Sequence, residues 1–312
     1  MKQQILIKSN LLQSKDIRNR LDKLSLKESR IMNKKINLAI SFLAAFILIA
    51  AATAPYFASS AHAQDIQGLL DTVIQAPHRS EVNRARDQYR HPKETLLFFG
   101  LRSDMTVVEI SPANGWYTEI IGPLLKKKGH FYAAVPSITE DMPRAMKDRD
   151  VAYRQMLKGA SELYGEPTIT SYDASAPLFA PDGLADLVLT FRNVHNWAKA
   201  GHAQPMFKGF YQALKSGGVL GVVEHRAKPG TPLHKQIESG YMTEQFVIEA
   251  AIAAGFRLDR SSEINSNLLD TKDHPGGVWN LPPNLRGVSD SDKPKYRAVG
   301  ESDRMTLRFV KP

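Results

Sequence analysis

The sequence predicts an α/β fold: a doubly wound, mainly parallel sheet in a three-layer α/β/α arrangement with an antiparallel edge. Three observations predict it. The β-branched run "MTVVEIS" (105–111) passes into the helix-patterned "GWYTEIIGPLLKKKG" (115–129). Apolar runs and amphipathic stretches then alternate as far as "MTEQFVIEAAIAAGF" (242–256). The last two runs, "RLDRSSEI" (257–264) and "DRMTLRFVKP" (303–312), read as strands that can pair antiparallel at the edge.

Each element has its own signal. Residues 64–95 form a polar, helical lead-in in which Arg79, Arg84, Arg86 and Arg90 alternate with acids, the pattern of a solvated face. "HPKETLLFFGL" follows, with Pro92 near a helix start. "MTVVEIS" is a β-branched apolar run, read as a buried strand. In the next helix Trp116, Tyr117, Ile120, Ile121, Leu124 and Leu125 share one face, and three lysines with Gly129 mark its end. Pro123 should kink this helix without breaking it. "HFYAAV" is a second strand, and 138–165 is helical and longer than a simple crossover requires. "TITSYDAS" gives a third strand, and "ADLVLTFRNVHNW" a fourth that turns polar at its C-terminal end. Met206, Phe207, Phe210, Ala213 and Leu214 make a helix face that "KSGG" terminates, and "VLGVVEHRA" is a fifth strand. The 267–302 segment is long and rich in Pro and Gly, a length that in compact domains is usually functional or disordered.

The N-terminus reads as an address. From Met32, a basic Lys34–Lys35 pair precedes the uncharged apolar run Leu38 to Ala54, and Ala61-His62-Ala63 ends as a signal-peptidase site does. The expected organisation is an extension over 1–31 arising from a start upstream of a true initiator at Met32, a signal peptide over 32–63, and one domain over 64–312. The alternative for the apolar run is a retained anchor, for which its length is at the lower limit. The expected location is exported, in the periplasm of a bacterial envelope, with membrane contact only through the signal segment.

Charge excludes one function class. The net charge is +9, but ten of the 41 basic and three of the 32 acidic side chains fall in residues 1–63, which leaves the body near neutral. No nucleic-acid partner is expected. The absence of cysteine excludes disulfides, thiolate nucleophiles and thiolate metal sites. Oligomeric state is not readable.

Three stretches carry a family resemblance. "VVEISPANGWYTEII" lines up with an opening strand and an acid-x-Gly-x-Gly-x-Gly loop, with Glu109 in the acid position and Ser111, Ala113 and Gly115 in the glycine positions. "ALKSGGVLGVVEHR" matches a helix, a Leu-Lys-x-Gly-Gly turn and a fifth strand, and "FRNVHNW" follows the fourth strand. Together, over residues 90–312, they resemble the class I S-adenosylmethionine-dependent methyltransferases, with a Rossmann-like sheet. "WYTEI", "RNVHNW", "EHRA" and "ESDRMTLRFVKP" resemble in particular a branch of predicted, often exported bacterial methyltransferases of undefined substrate.

The resemblance implies S-adenosylmethionine as cofactor and a small-molecule acceptor. It implies cofactor contacts from Glu109, Ser111, Ala113, Asn114, Gly115, Asp173 and Arg192. Small residues suit a turn that a ligand approaches closely, and Asn114 tolerates left-handed dihedrals. Glu109 can accept hydrogen bonds from loop amides, hold an ammonium group through water, or fix the turn as a buried carboxylate. The ribose acid is missing after the second strand, where the nearest acids are Glu140 and Asp141. Asp173 takes the adenine position or forms an Asx-turn.

Catalysis falls to His195, Asn193 and His225. His195, after the fourth strand, and Glu224, His225 and Arg226, at the end of the fifth, should open into one crevice. There a neutral His195 can take the acceptor's proton, while Asn193, Asn196 and Trp197 shape the acceptor site. The same His195, Glu224 and His225 could ligate zinc or iron, although no His-x-Glu-x-x-His spacing supports a metal, and none is assigned. Export sits awkwardly with a cofactor made in the cytoplasm. The competing reading is therefore a non-catalytic envelope ligand-binding protein on a degenerate methyltransferase fold.

Overall fold

The computed structural model describes residues 66–312, together with five positions between 23 and 34. The chain separates into two units, residues 1–64 and 65–312. Most of the signal segment and of the N-terminal extension lies outside the described residues. Among the described residues no helix is long and apolar enough to cross a membrane.

Four short helices open the second unit: α1 (66–74), α2 (Glu81–Arg84), α3 (Asp87–Arg90) and α4 (Pro92–Phe99). The alternating part runs β1 (Thr106–Ile110), α5 (Thr118–Leu125), β2 (His130–Pro136), α6 (Arg144–Gly159), α7 (Ser161–Tyr164) and β3 (Thr168–Tyr172). It continues with β4 (Ala185–Phe191), α8 (Val194–Lys199), α9 (Ala203–Ala213), β5 (Leu214–His225), α10 (Leu233–Ser239), α11 (Glu244–Ala253) and β6 (Arg257–Ser262). A 3-10 turn (Gly277–Asn280), α12 (Lys293–Val299) and β7 (Arg304–Val310) complete it.

The seven strands lie in the order β3-β2-β1-β4-β5-β7-β6. All pairs are parallel except those of β7, which runs antiparallel to both β5 and β6. The antiparallel edge is thus made by inserting the last strand between its two predecessors. Strand order reverses between β1 and β4, which places a crevice at their carboxyl ends.

Strand periodicity explains the two cores. Val107, Leu187 and Leu189 point to one face, against Leu96, Phe99, Ile120, Ile121 and Leu125. Val108, Val188 and Leu220 point to the other, against Met206, Phe207, Phe210 and Val247. Each such side chain, fully withdrawn from water, contributes about 1.5–3 kcal/mol before conformational entropy is set against it. With both faces covered, β1 past its half-buried first residue, Thr106, must be apolar at every position except the one that faces the crevice. That exception is Glu109.

Three expectations are corrected or refined. The lead-in arginines are not a solvated face: Arg79 and Arg90 are fully buried. Arg79 makes a two-pronged pair with Asp87 at 2.7 and 2.8 Å, and the two guanidinium groups lie 5.1 and 4.6 Å from the Trp116 ring centre. A lead-in poor in large apolar side chains packs instead through charge-paired, ring-stacked guanidinium groups. The "KSGG" stretch is a register irregularity inside β5, with Gly217 at φ +78°, and Pro123 sits within α5 without ending it.

Candidate functional site

A cleft of about 280 Å³ opens at the carboxyl ends of β1, β4 and β5. Its floor is the β1–α5 turn. Ser111, Ala113 and Gly115 adopt φ of +50°, +56° and +78°, whereas Asn114 is not left-handed. The residues that replace glycine therefore keep a glycine-type backbone, and the tolerance expected of Asn114 is not used. Left-handed geometry at a non-glycine residue costs about 1–2 kcal/mol and persists only where its surroundings impose it. Two of those constraints are visible. Ser111 N–H donates to the Ala134 carbonyl, and its hydroxyl bonds the Tyr172 hydroxyl at 2.5 Å. Gly115 is also tightly enclosed: a Cβ there would sit 2.8 Å from Met156 Cε and 3.1 Å from Tyr153 Cε2, so those side chains would have to give way.

Glu109 lines the cleft and is buried. It accepts the Thr118 hydroxyl at 2.7 Å, and Thr118 in turn bonds Tyr153 at 3.0 Å. Its partner is thus the first residue of α5 rather than a loop amide. Burial, opposed by that hydrogen bond, raises its carboxyl to about 7.

Opposite the turn, α8 and the end of β5 bring His195, Glu224 and His225 together. Glu224 is fully buried and accepts four N–H groups: the backbone amides of Val194 (2.5 Å), His195 (3.3 Å) and His225 (2.8 Å), and His195 Nδ1 (3.0 Å). A carboxylate only accepts, so His195 carries its proton on Nδ1 and leaves the Nε2 lone pair free. His225 bonds the Ser302 hydroxyl through Nδ1 at 2.5 Å, and its ring centre lies 5.3 Å from that of His195. Burial above all, with the charges of Arg192, Arg304 and Arg90 adding to it, holds the His225 imidazole well below its usual range, so it is neutral at pH 7. Ligand atoms of the three residues lie within 4.8 Å of one another, the spacing of a metal set. Both Glu224 oxygens are already taken by N–H donors, which suits an oriented histidine better than a metal ligand.

The remaining predicted residues divide. Asn193 lines the cleft, but its amide donates to Ile110 O and Thr190 Oγ1, both at 3.1 Å, so it ties the end of β4 to the end of β1. Arg192 lines the cleft at φ +61°. Asn196 is also on the wall, whereas Trp197 is buried against Phe210 and does not reach it. Asp173 is not brought to the cleft: it is exposed and accepts both the Ser175 N–H and hydroxyl at 2.8 Å, an Asx-turn. Glu140 and Asp141 are exposed and lie outside the cleft too.

Sequence reasoning missed one wall and the roof. Arg90, Trp116 and Tyr117 form the wall, with Tyr117 stacked on Phe191 at 3.6 Å. The roof is the 267–302 excursion, which contributes Val278, Trp279, Pro282, Pro283, Asn284, Glu301 and Ser302. Asp270 anchors it by accepting Tyr241 Oη, His274 Nε2 and the amides of Lys272 and Asp303. Gly277 lets it dock, because a Cβ there would fall 2.2 Å from the Ser239 carbonyl oxygen. A pointer existed in "ESDRM", whose four polar residues Glu301 to Arg304 are all buried.

No family model and no curated protein matches this chain. Solved structures do. The chain is similar to the [4+2]-cyclase SpnF, at 15% identity over 76% of this chain and 86% of that one, with a TM-score of 0.50. It is also similar to a SAM-dependent methyltransferase from Aquifex aeolicus (16% identity, 73% and 93% coverage, TM-score 0.47). A third likeness is to geranyl diphosphate methyltransferase in complex with SAM (11% identity, 78% and 95% coverage, TM-score 0.47). At these identities the shared property is the Rossmann-like fold.

Proposed function

We propose that the chain is an S-adenosylmethionine-dependent methyltransferase acting on a small acceptor. The observation that carries this reading is the β1–α5 turn. Positions 111, 113 and 115 hold left-handed backbone without three glycines, on the floor of the strand-end cleft and beside Glu109. A turn that only joined a strand to a helix would have no reason to keep that strain. The methyltransferase neighbours support the reading through the fold they share with this chain.

The site suits the cofactor chemically. The Ser111–Gly115 turn would lie against its methionine portion, and Glu109 would face its ammonium group. When bound, S-adenosylmethionine supplies an electrophilic methyl group for in-line displacement. The chain's own residues then do the rest. Trp116, Tyr117 and Phe191 wall the cleft, Trp279 and the Pro282–Pro283 segment cover it, and both exclude water. His195, held by Glu224, takes the proton from the acceptor heteroatom on Nε2 as the new bond forms. His225 stays neutral beside it and adds no positive charge of its own.

The reading includes export to the periplasm after cleavage near Ala63, supported by the Lys34–Lys35 pair, the apolar run Leu38 to Ala54 and the Ala-x-Ala ending. N-terminal sequencing of the mature protein tests that part; a chain beginning at Met1 or Met32 contradicts it. Calorimetric titration of the full chain with S-adenosylmethionine and S-adenosylhomocysteine tests the main part. Micromolar binding that Gly115→Val abolishes is expected. No binding at millimolar ligand leaves the non-catalytic reading in its place.

A further inference from the structure

One group of charges in the cleft goes unused by methyl transfer. Arg90 is buried, its Nε donates to Glu301 Oε2 at 3.1 Å, and its Nη2 is buried with no hydrogen-bond partner. Glu301 also receives Arg86 Nε at 2.6 Å and Arg304 Nη1 at 3.1 Å. Arg192 stands beside this group on the cleft wall, and among the described residues its side chain has neither a hydrogen-bond nor an ion-pair partner. Burial resists ionisation of Glu301, yet Arg90, Arg304, Arg86 and Arg192 together pull its carboxyl down to about 2. In the opposite sense, burial and the neighbouring arginines bring the Arg192 guanidinium to about 10.

Four guanidinium groups thus face one carboxylate. Asp303, the next acid along, is engaged elsewhere, by Arg226 and Lys272. Arg90 and Arg304 are buried and Arg86 and Arg192 half-buried, and positive charge withdrawn from water is costly unless a counter-charge arrives. Glu109 does not supply it fully, because burial favours its protonated form. Nor does the proposed cofactor: its carboxylate is outweighed by its ammonium and sulfonium, so its arrival makes the cleft more positive.

We infer that the Arg90–Arg192 wall is a seat for an oxyanion carried by the acceptor, a carboxylate or a phosphate. This rests on the methyltransferase reading for the word acceptor, but the seat itself does not. Arg192, whose donors are free, presents planar N–H groups suited to paired oxygens, and the charge of Arg90 lies beside it. His195 lines the same cleft, so an acceptor held by its anionic end can present its other end to that base.

The test uses the full chain and inorganic phosphate as probe, at fixed ionic strength and pH 7, read by calorimetry and by ³¹P line broadening. Saturable phosphate binding is expected with S-adenosylhomocysteine absent or saturating. It should weaken about tenfold or more in Arg192→Met and by less in Arg192→Lys, which keeps the charge but not the paired donors. Arg192→Met should fold with an unchanged or higher Tm, since it removes like-charge repulsion and no hydrogen bond. Wild-type chain that binds no phosphate overturns the seat. Loss of phosphate binding on saturation with S-adenosylhomocysteine overturns it as an acceptor site and gives the arginines to the cofactor carboxylate. A chain that binds phosphate but not S-adenosylhomocysteine refutes the methyltransferase reading and leaves the seat standing.

Discussion

Ala113→Gly should stabilise the protein. Ala113 has φ +56° and its side chain is exposed, so deleting Cβ removes strain and almost no packing. An L-residue in that region costs about 1–2 kcal/mol. Glycine gives back about 0.4–1 kcal/mol through the greater freedom of the unfolded chain. The difference predicts a gain of about 0.5–1 kcal/mol, or about 1–4 °C in Tm for a domain of this size. Ser111→Gly is a poorer probe, because it also deletes the hydrogen bond to Tyr172. Calorimetric and urea melts of Ala113→Gly and Ala113→Val check the claim, the valine being expected to destabilise. If glycine lowers stability, or valine leaves it unchanged, the turn is not held in the left-handed region and the strain argument fails.

Glu109 makes stability depend on pH. Below about pH 4.5 it is protonated in both states, and between 4.5 and about 7 only the unfolded chain releases the proton. Stability should therefore fall by about 3 kcal/mol as pH rises through that window and level off above it, a slope that denaturant titrations should find missing in Glu109→Gln. His195→Ala should lower kcat by about 10²- to 10⁴-fold, with S-adenosylhomocysteine affinity within twofold of wild type by calorimetry. Glu224→Gln removes the carboxylate that orients His195 and should lower kcat with it, while circular dichroism reports a retained fold. Gly277→Ala should lift the roof, since its Cβ would meet the Ser239 carbonyl, and raise the acceptor KM more than it lowers kcat.

The sheet was legible because buried strands announce themselves: "VVEI", "ADLVLTF" and "VLGVV" are apolar at nearly every position, as strands covered on both faces must be. The convergence of His195 with Glu224 followed from β4 and β5 being neighbours, which the parallel order implies. What stayed hidden depends on long-range pairing. Arg86 and Arg90 meet Glu301 across more than two hundred residues, and nothing in the local charge pattern separates such arginines from a solvated face. The φ angles of Ser111 and Ala113 were hidden for another reason. Residue type points to Asn114 as the left-handed position, but the hydrogen bonds that fix the turn come from β2 and Tyr172. The 267–302 roof was flagged by its length alone. Its docking depends on Asp270 and Gly277, whose partners lie on α10 and beside it.

The most direct test of the central claim is a crystal structure of the chain with S-adenosylhomocysteine. The account predicts the homocysteine portion against residues 111–115 and Glu109, with the sulfur open to the side of the cleft that holds His195. Ligand bound away from this turn, or a cleft that stays empty at saturating ligand, contradicts it.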